Sequence, residues 1–196
     1  SGTLSSANVQ TNQALSSVGT LSLTGVGEAS TGNYNTLTTS QTSVSVTAAP
    51  ITISTSNVTK NYNGSLTAVG TATVTSGTLY TNASNANTLD SLSGGSFAFT
   101  NANYGSGNKT VTVSGVTVND GNSGNNYSVT YASNTTSTIN AAAITISTSN
   151  VSKTYDGALT ATGTATVTSG TLYTNASNSN TLDSISGGSF AFADKN

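Results

Sequence analysis

The sequence contains no cysteine, no histidine, no methionine and no tryptophan, a single proline, and only four cationic residues, all lysine. Each absence removes a class of function. Without Cys and His, zinc, haem and iron–sulfur centres lose their usual ligands, and the Ser–His and Cys–His nucleophile pairs cannot be assembled. Four lysines cannot build the electropositive stripe that neutralises a phosphate backbone, which excludes nucleic acid as a partner. No apolar run approaches the roughly 18 residues of a helical membrane span, so no membrane insertion is expected. The opening residues carry no basic stretch followed by an apolar core, so no signal peptide is expected within the sequence; the chain reads as a fragment of something longer. Charge is scarce as well: 5% of residues are charged and the net charge is −2.

What is present is small and polar. Ser, Thr, Asn and Gly supply 116 of 196 residues, about 59%, whereas Leu, Ile, Val and Phe supply 37, about 19%. The low apolar content borders on that of disordered chains, but disorder also requires a high net charge to keep the chain expanded. Threonine, which is β-branched and sits well on a half-exposed pleated surface, makes up part of the shortfall. The composition predicts a thin-cored β protein with a hydroxyl- and amide-covered exterior.

One internal repeat organises the chain. Residues 51–103 return as residues 144–196, an offset of 93, with 43 of 53 positions identical. The one bulky exchange, Leu92 for Ile185, conserves volume, as packed cores require. Residues 1–50 belong to the series more loosely: Tyr34 lies 93 before Tyr127, and Ala48-Ala49-Pro50-Ile51 lies 93 before Ala141-Ala142-Ala143-Ile144. The chain therefore divides into the C-terminal part of one repeat (1–50), a complete repeat (51–143) and the N-terminal part of the next (144–196). A 93-residue period exceeds that of solenoid coils and matches a small autonomous domain. The junctions at residues 43–53 and 137–146 contain no flexible spacer, and Pro50 restricts both its own φ and the conformation of Ala49.

Within the complete repeat, apolar residues alternate with period two, the mark of half-buried strands. Examples are Ile51/Ile53, Ala72/Val74, Phe97/Phe99 and Tyr127/Val129/Tyr131. Val111/Val113 and Val116/Val118 read as two short strands hinged at Ser114-Gly115. Turn signals fall between the strands at Asn63-Gly64, Ser76-Gly77, Gly94-Gly95 and Asp120-Gly121. This predicts an all-β fold of tandem small immunoglobulin-like β-sandwich modules. The alternative is a β-grasp-like module that uses residues 81–89 as a short helix.

The sharpest local motif is Tyr155-Asp156-Gly157, with Tyr62-Asn63-Gly64 as its counterpart. Asn-Gly and Asp-Gly favour a type I′ hairpin turn, and the exchange of Asp156 for Asn63 argues for a structural turn over acid chemistry. Six scattered carboxylates do not converge as a calcium site requires, so neither metal nor cofactor is expected. Lys60 and Lys153 precede the two tyrosines. The reading preferred for them is a methylene stem lying along the ring with the amine in water, rather than an isopeptide bond to an asparagine. Tyr80, Tyr104 and Tyr173, in or beside Asn-rich loops, are candidate ligand contacts.

The segments Lys153-Thr154-Tyr155-Asp156-Gly157, Ile185-Ser186-Gly187-Gly188-Ser189-Phe190 and Phe192-Ala193-Asp194-Lys195-Asn196 resemble the YDG-type and MBG-type repeats of large haemagglutinin-like bacterial surface adhesins. In the complete repeat the likeness continues through residues 105–109, 111–115 and 124–127, although Asn63 replaces the motif aspartate. The resemblance implies a β-rich stalk module of a secreted protein at the bacterial surface, projecting a distal binding region in cell adhesion or biofilm formation. The expected partners are neighbouring repeats of the same chain. A second expectation is a binding module contacting host or biofilm glycans or proteins through the Tyr/Asn-rich loops. No nucleophile or acid–base pair is visible, so an enzyme is not expected.

Overall fold

The computed structural model describes residues 2–17, 19 and 43–194; the Tyr34 correspondence lies outside these. Among the described residues every regular element is a strand, and the protein is all-β. The strands are β1 (Gln10–Ala14), β2 (Ser43–Val46), β3 (Ala49–Thr55), β4 (Thr59–Asn61), β5 (Ala72–Ser76), β6 (Thr81–Asn82), β7 (Thr88–Leu89), β8 (Ser91–Phe99) and β9 (Gly105–Asn119). They continue with β10 (Tyr127–Tyr131), β11 (Asn134–Asn140), β12 (Thr145–Thr148), β13 (Thr160–Ala161), β14 (Ala165–Ser169), β15 (Thr174–Asn175), β16 (Thr181–Leu182) and β17 (Phe190–Ala191).

The chain divides into two compact units. The first comprises Ser1–Ser54, Ala72–Ser96 and Val113–Ala132; the second comprises Thr55–Thr71, Phe97–Thr112 and Ser133–Asn196. The complete sequence repeat thus contributes to both, and each junction between sequence repeats lies inside one unit.

In the first unit β3 is the centre of a three-stranded sheet, flanked by β10 and β5. The β3–β10 pairing is parallel and in unbroken register from Ala49 beside Tyr127 to Ile53 beside Tyr131. Ile51, Ile53, Val113, Val116, Val118 and Tyr127 are buried. The second unit buries Phe99 among Val58, Ala68, Val111 and Ile139, with Tyr62, Leu66 and Phe97 packed at its margin. There β11 runs parallel to β4 and antiparallel to β9. Both larger sheets are therefore mixed, whereas an immunoglobulin-like sandwich is built of antiparallel sheets. The parallel partners β3 and β10 lie far apart in sequence, which leaves room for the crossover that parallel pairing needs.

Three local expectations change. Residues 111–118 are one strand, not two. Val111 and Val113 are buried, Ser114 and Gly115 are both exposed, and Val116 and Val118 are buried again. Gly115 has φ +63°, a bulge conformation that adds one residue and keeps both valine pairs on the buried face. The short helix of the β-grasp alternative does not form: residues 81–89 make the β6–β7 antiparallel pair. Its turn is closed by the Asn85 amide donating to Asn82 O (3.0 Å) and the Thr88 amide to Asn85 O (2.9 Å). Nor is Tyr62-Asn63-Gly64 a type I′ hairpin, which needs φ > 0 at both central residues. Gly64 has φ +76°, but Asn63 does not have positive φ. β4, which leads into this turn, pairs with β11.

Identical sequence does not mean identical burial. The segment ITIST occurs in β3 and around β12, yet Ile53 is 0% exposed and its counterpart Ile146 is 50% exposed. β3 has partners on both edges; among the described residues β12 has only β14.

Candidate functional site

The Tyr-Asn/Asp-Gly turns are clasped by the lysines that precede them. Lys60 Nζ donates to Ser65 O (2.7 Å), Ser65 Oγ (3.2 Å) and Thr67 O (3.1 Å), and stands 5.5 Å from the centroid of the Phe99 ring. Burial lowers its pKa from the ordinary lysine value. Lys153 repeats the arrangement on Ala158 O and Thr160 O, both at 2.9 Å, and adds an ion pair to Asp156 at 2.7 Å. The lysine amine therefore closes a loop of backbone carbonyls instead of reaching into water. The Asx residue caps the same turn: Asn63 Oδ1 accepts the Ser65 amide and Asp156 Oδ1 the Ala158 amide. Asp and Asn serve equally in that role, which explains their exchange.

The tyrosines of the two turns differ in their surroundings. Tyr62 donates its hydroxyl to Asp183 Oδ2 at 2.5 Å and meets the Tyr173 ring edge-on at 5.8 Å. Gly64 O accepts the Ala176 amide, and a Cβ at Gly64 would lie 2.0 Å from Thr174 O, so only glycine fits. Tyr155, the counterpart of Tyr62, is 77% exposed.

A second tyrosine–aspartate pair occurs in the first unit. Tyr127 donates to Asp90 Oδ2 at 2.6 Å and its oxygen accepts the Tyr80 amide at 2.9 Å. Asp90 is 3% exposed, and its Oδ1 has no hydrogen-bond partner. These residues line a pocket of about 250 Å³ together with Thr81, Asn82 and Asn126. The equivalent region of the second unit, about 280 Å³, is lined by Tyr62, Asn103, Tyr104, Asn175 and Asp183. Of the candidate ligand contacts, Tyr80 and Tyr104 are thus exposed pocket-lining residues, while Tyr173 packs against Tyr62.

Beside each pocket an asparagine clasp recurs. In the first unit Asn82 Nδ2 donates to Asn8 Oδ1, the Ala7 amide to Ser84 Oγ, and the Ser84 amide to Asn82 Oδ1. In the second, Asn175 Nδ2 donates to Asn103 Oδ1, the Ala102 amide to Ser177 Oγ, and the Ser177 amide to Asn175 Oδ1. Both asparagines are buried, so their amides act in place of a hydrophobic contact and must stay paired. Asn82→Ala strands Asn8 Oδ1, Asp120 O and the Ser84 amide, and should cost about 1–3 kcal/mol, read as a lower midpoint in urea; Asn175→Ala should behave alike.

Asp120 was legible in the sequence only as part of a turn signal. Its carboxylate is fully buried and accepts the amides of Asn122 (2.8 Å), Gly124 (2.8 Å) and Asn126 (3.0 Å). Burial works against the charge, but those amides outweigh it and hold the pKa below its ordinary value. Among the described residues no three His, Cys, Asp or Glu side chains gather as metal ligands would. The arrangement is suited to recognition by hydrogen bonding.

Burial, then the hydrogen bond to Asp90, pushes Tyr127 up to about 12; burial, then Asp183, does the same for Tyr62. A raised pKa means that the folded state favours the neutral phenol. Its contribution is complete below about pH 10, the unfolded value, and is lost as pH rises toward 12. Melting temperatures recorded from pH 8 to 12 should fall across that interval, and the fall should be smaller in Tyr127→Phe.

No curated protein and no solved structure matches this chain. The family model that does match covers the region containing Lys60, the Tyr62 turn, Asp90, Asp120 and Tyr127. Residues 47–137 are a YDG domain.

Proposed function

We propose that this chain is a structural repeat region of a secreted bacterial surface adhesin, a stalk that holds a distal binding region away from the cell for adhesion or biofilm formation. The observation that carries the reading is the recurrence of one asparagine clasp at successive repeats, with the same three donor–acceptor pairs each time. A clasp built the same way at each period is what a uniform array requires, and near-identity of the repeats favours such uniformity. The resemblance to haemagglutinin-like exoproteins supplies the extracellular setting, and the partners are neighbouring repeats. Few charges and no cysteines suit export as an unfolded chain. Small-angle scattering on arrays of two, four and six repeats tests the reading: the maximum dimension should grow in proportion to repeat number. Compact particles whose dimension grows as the cube root of mass would overturn it.

A binding role for the pockets is the second reading, favoured by exposed Tyr80 and Tyr104 at their rims. Tyrosine stacks on sugar faces while Asn side chains bond hydroxyls. Saccharide titration followed by amide chemical shifts should then move the signals of Tyr80 and Tyr104; an unresponsive spectrum eliminates it.

A further inference from the structure

The second unit contains a template for the first. There the Tyr62-Asn63-Gly64 turn occupies a seat made by Tyr173, Asn175, Ala176 and Asp183: ring edge to ring, hydroxyl to carboxylate, and glycine carbonyl to the Ala176 amide. Subtracting the 93-residue period from those seat residues gives Tyr80, Asn82, Ala83 and Asp90. In the first unit that seat carries no turn. Tyr80 is 57% exposed and Ala83 is exposed, whereas Tyr173 and Ala176 are partly covered. A pocket stands at the position. Asp90, buried and lining it, keeps one carboxylate oxygen unpartnered while the other holds Tyr127. A buried carboxylate oxygen without a donor is costly, and a tyrosine hydroxyl is the donor its counterpart receives.

The same chain carries an unoccupied ligand for such a seat. The Tyr155-Asp156-Gly157 turn is already shaped by Lys153 and by the Asp156 cap, Gly157 has the positive φ of Gly64, and Tyr155 projects into solvent. We infer that the pocket at Tyr80, Asn82 and Asp90 is a binding site for a Tyr-Asp/Asn-Gly turn, and that a second copy of this chain fills it with Tyr155-Asp156-Gly157. The tyrosine hydroxyl donates to Asp90 Oδ1, its ring meets Tyr80 edge-on, and the Gly157 carbonyl accepts the Ala83 amide. Because the turn and its seat are different surfaces, the contact is head-to-tail and extends into chains of copies rather than closed dimers. One turn in one pocket gives weak association in trans. Between tethered repeats the effective concentration reaches the millimolar range and makes the same contact strong. The site does not depend on a stalk role or a surface location.

Sedimentation equilibrium of the whole chain up to millimolar concentration tests the inference. The wild type should self-associate without reaching a fixed stoichiometry. Tyr155→Phe, altered at an exposed position and so leaving the fold intact, should weaken association at least tenfold, the loss expected for one hydrogen bond to a charged acceptor. Mixing Tyr155→Ala with Asp90→Asn should yield no species beyond a 1:1 complex, since each mixture retains one intact turn and one intact seat. Amide shifts on dilution should centre on Tyr80, Ala83 and Asp90. A wild type that stays monomeric at millimolar concentration overturns the site, as does association that Tyr155→Phe leaves unchanged or shift changes confined to other residues. Whether arrays are extended is decided by the scattering experiment alone, so the two readings can fail separately.

Discussion

Asp120→Ala should be among the most damaging single changes in this chain, lowering stability by about 3 kcal/mol at neutral pH, because it leaves three inward-facing amides without an acceptor. Those amides belong to Asn122, Gly124 and Asn126, and the loop they form sets the approach of β10 to β3: the Asn126 carbonyl accepts the Ala49 amide where the pairing begins. Losing the carboxylate therefore loosens the parallel sheet, not the loop alone. The pH dependence follows from the direction of the shift. A depressed folded-state pKa contributes stability that is present above about pH 4, the unfolded value, and is lost as pH falls through the folded value. Asp120→Asn, which retains an acceptor of similar shape, should be less stable at pH 7 and show a shallower loss in acid. An acid titration of the urea midpoint for both proteins measures this; equal slopes would show that the buried carboxylate is not what the loop responds to.

Phe99→Ala should cost about 3–5 kcal/mol, the range for truncating a fully enclosed phenylalanine. Phe99 sits among Val58, Ala68, Val111 and Ile139, and its ring also faces Lys60 Nζ. Phe192 holds the same place in the sequence repeat and sits beneath Lys153 at 5.9 Å, but is only half-buried. Truncating it should cost about 1 kcal/mol, as expected for partial burial. Denaturant melts of the two variants, compared directly, read the difference in enclosure between two residues with almost identical neighbours in sequence. Similar losses would mean that the enclosure around Phe99 contributes little.

That comparison marks where sequence reading reached its limit. Period-two alternation located Ile51/Ile53, Phe97/Phe99 and Tyr127/Val129 in strands, because side chains on a strand must point alternately to opposite faces. The turn positions were legible for a similar reason: Gly64, Gly77, Gly94 and Gly121 all adopt positive φ, which other residues resist. The turn type at Asn63-Gly64 was misread because hairpin propensity assumes that the flanking strands pair with each other, and here β4 pairs with a strand almost eighty residues away. The lysine clasp escaped notice because its acceptors are backbone carbonyls, present at every position and invisible as a pattern. Asp120 was hidden in the same way, its partners being amides.

Composition, alternation and the 93-residue period determined by themselves that this is an all-β chain built of repeats, with structural turns at Tyr62 and Tyr155. They did so because strand geometry and turn dihedrals are local requirements written residue by residue. Tertiary structure alone decided which of two identical segments is core. Ile53 and Ile146 share their neighbours in sequence but not in space, since burial is conferred by whichever strand lies alongside. It also decided that Tyr62 meets a carboxylate while Tyr155 meets water, because a hydrogen bond needs its partner within about 3 Å, and only the folded chain brings Asp183 to that distance.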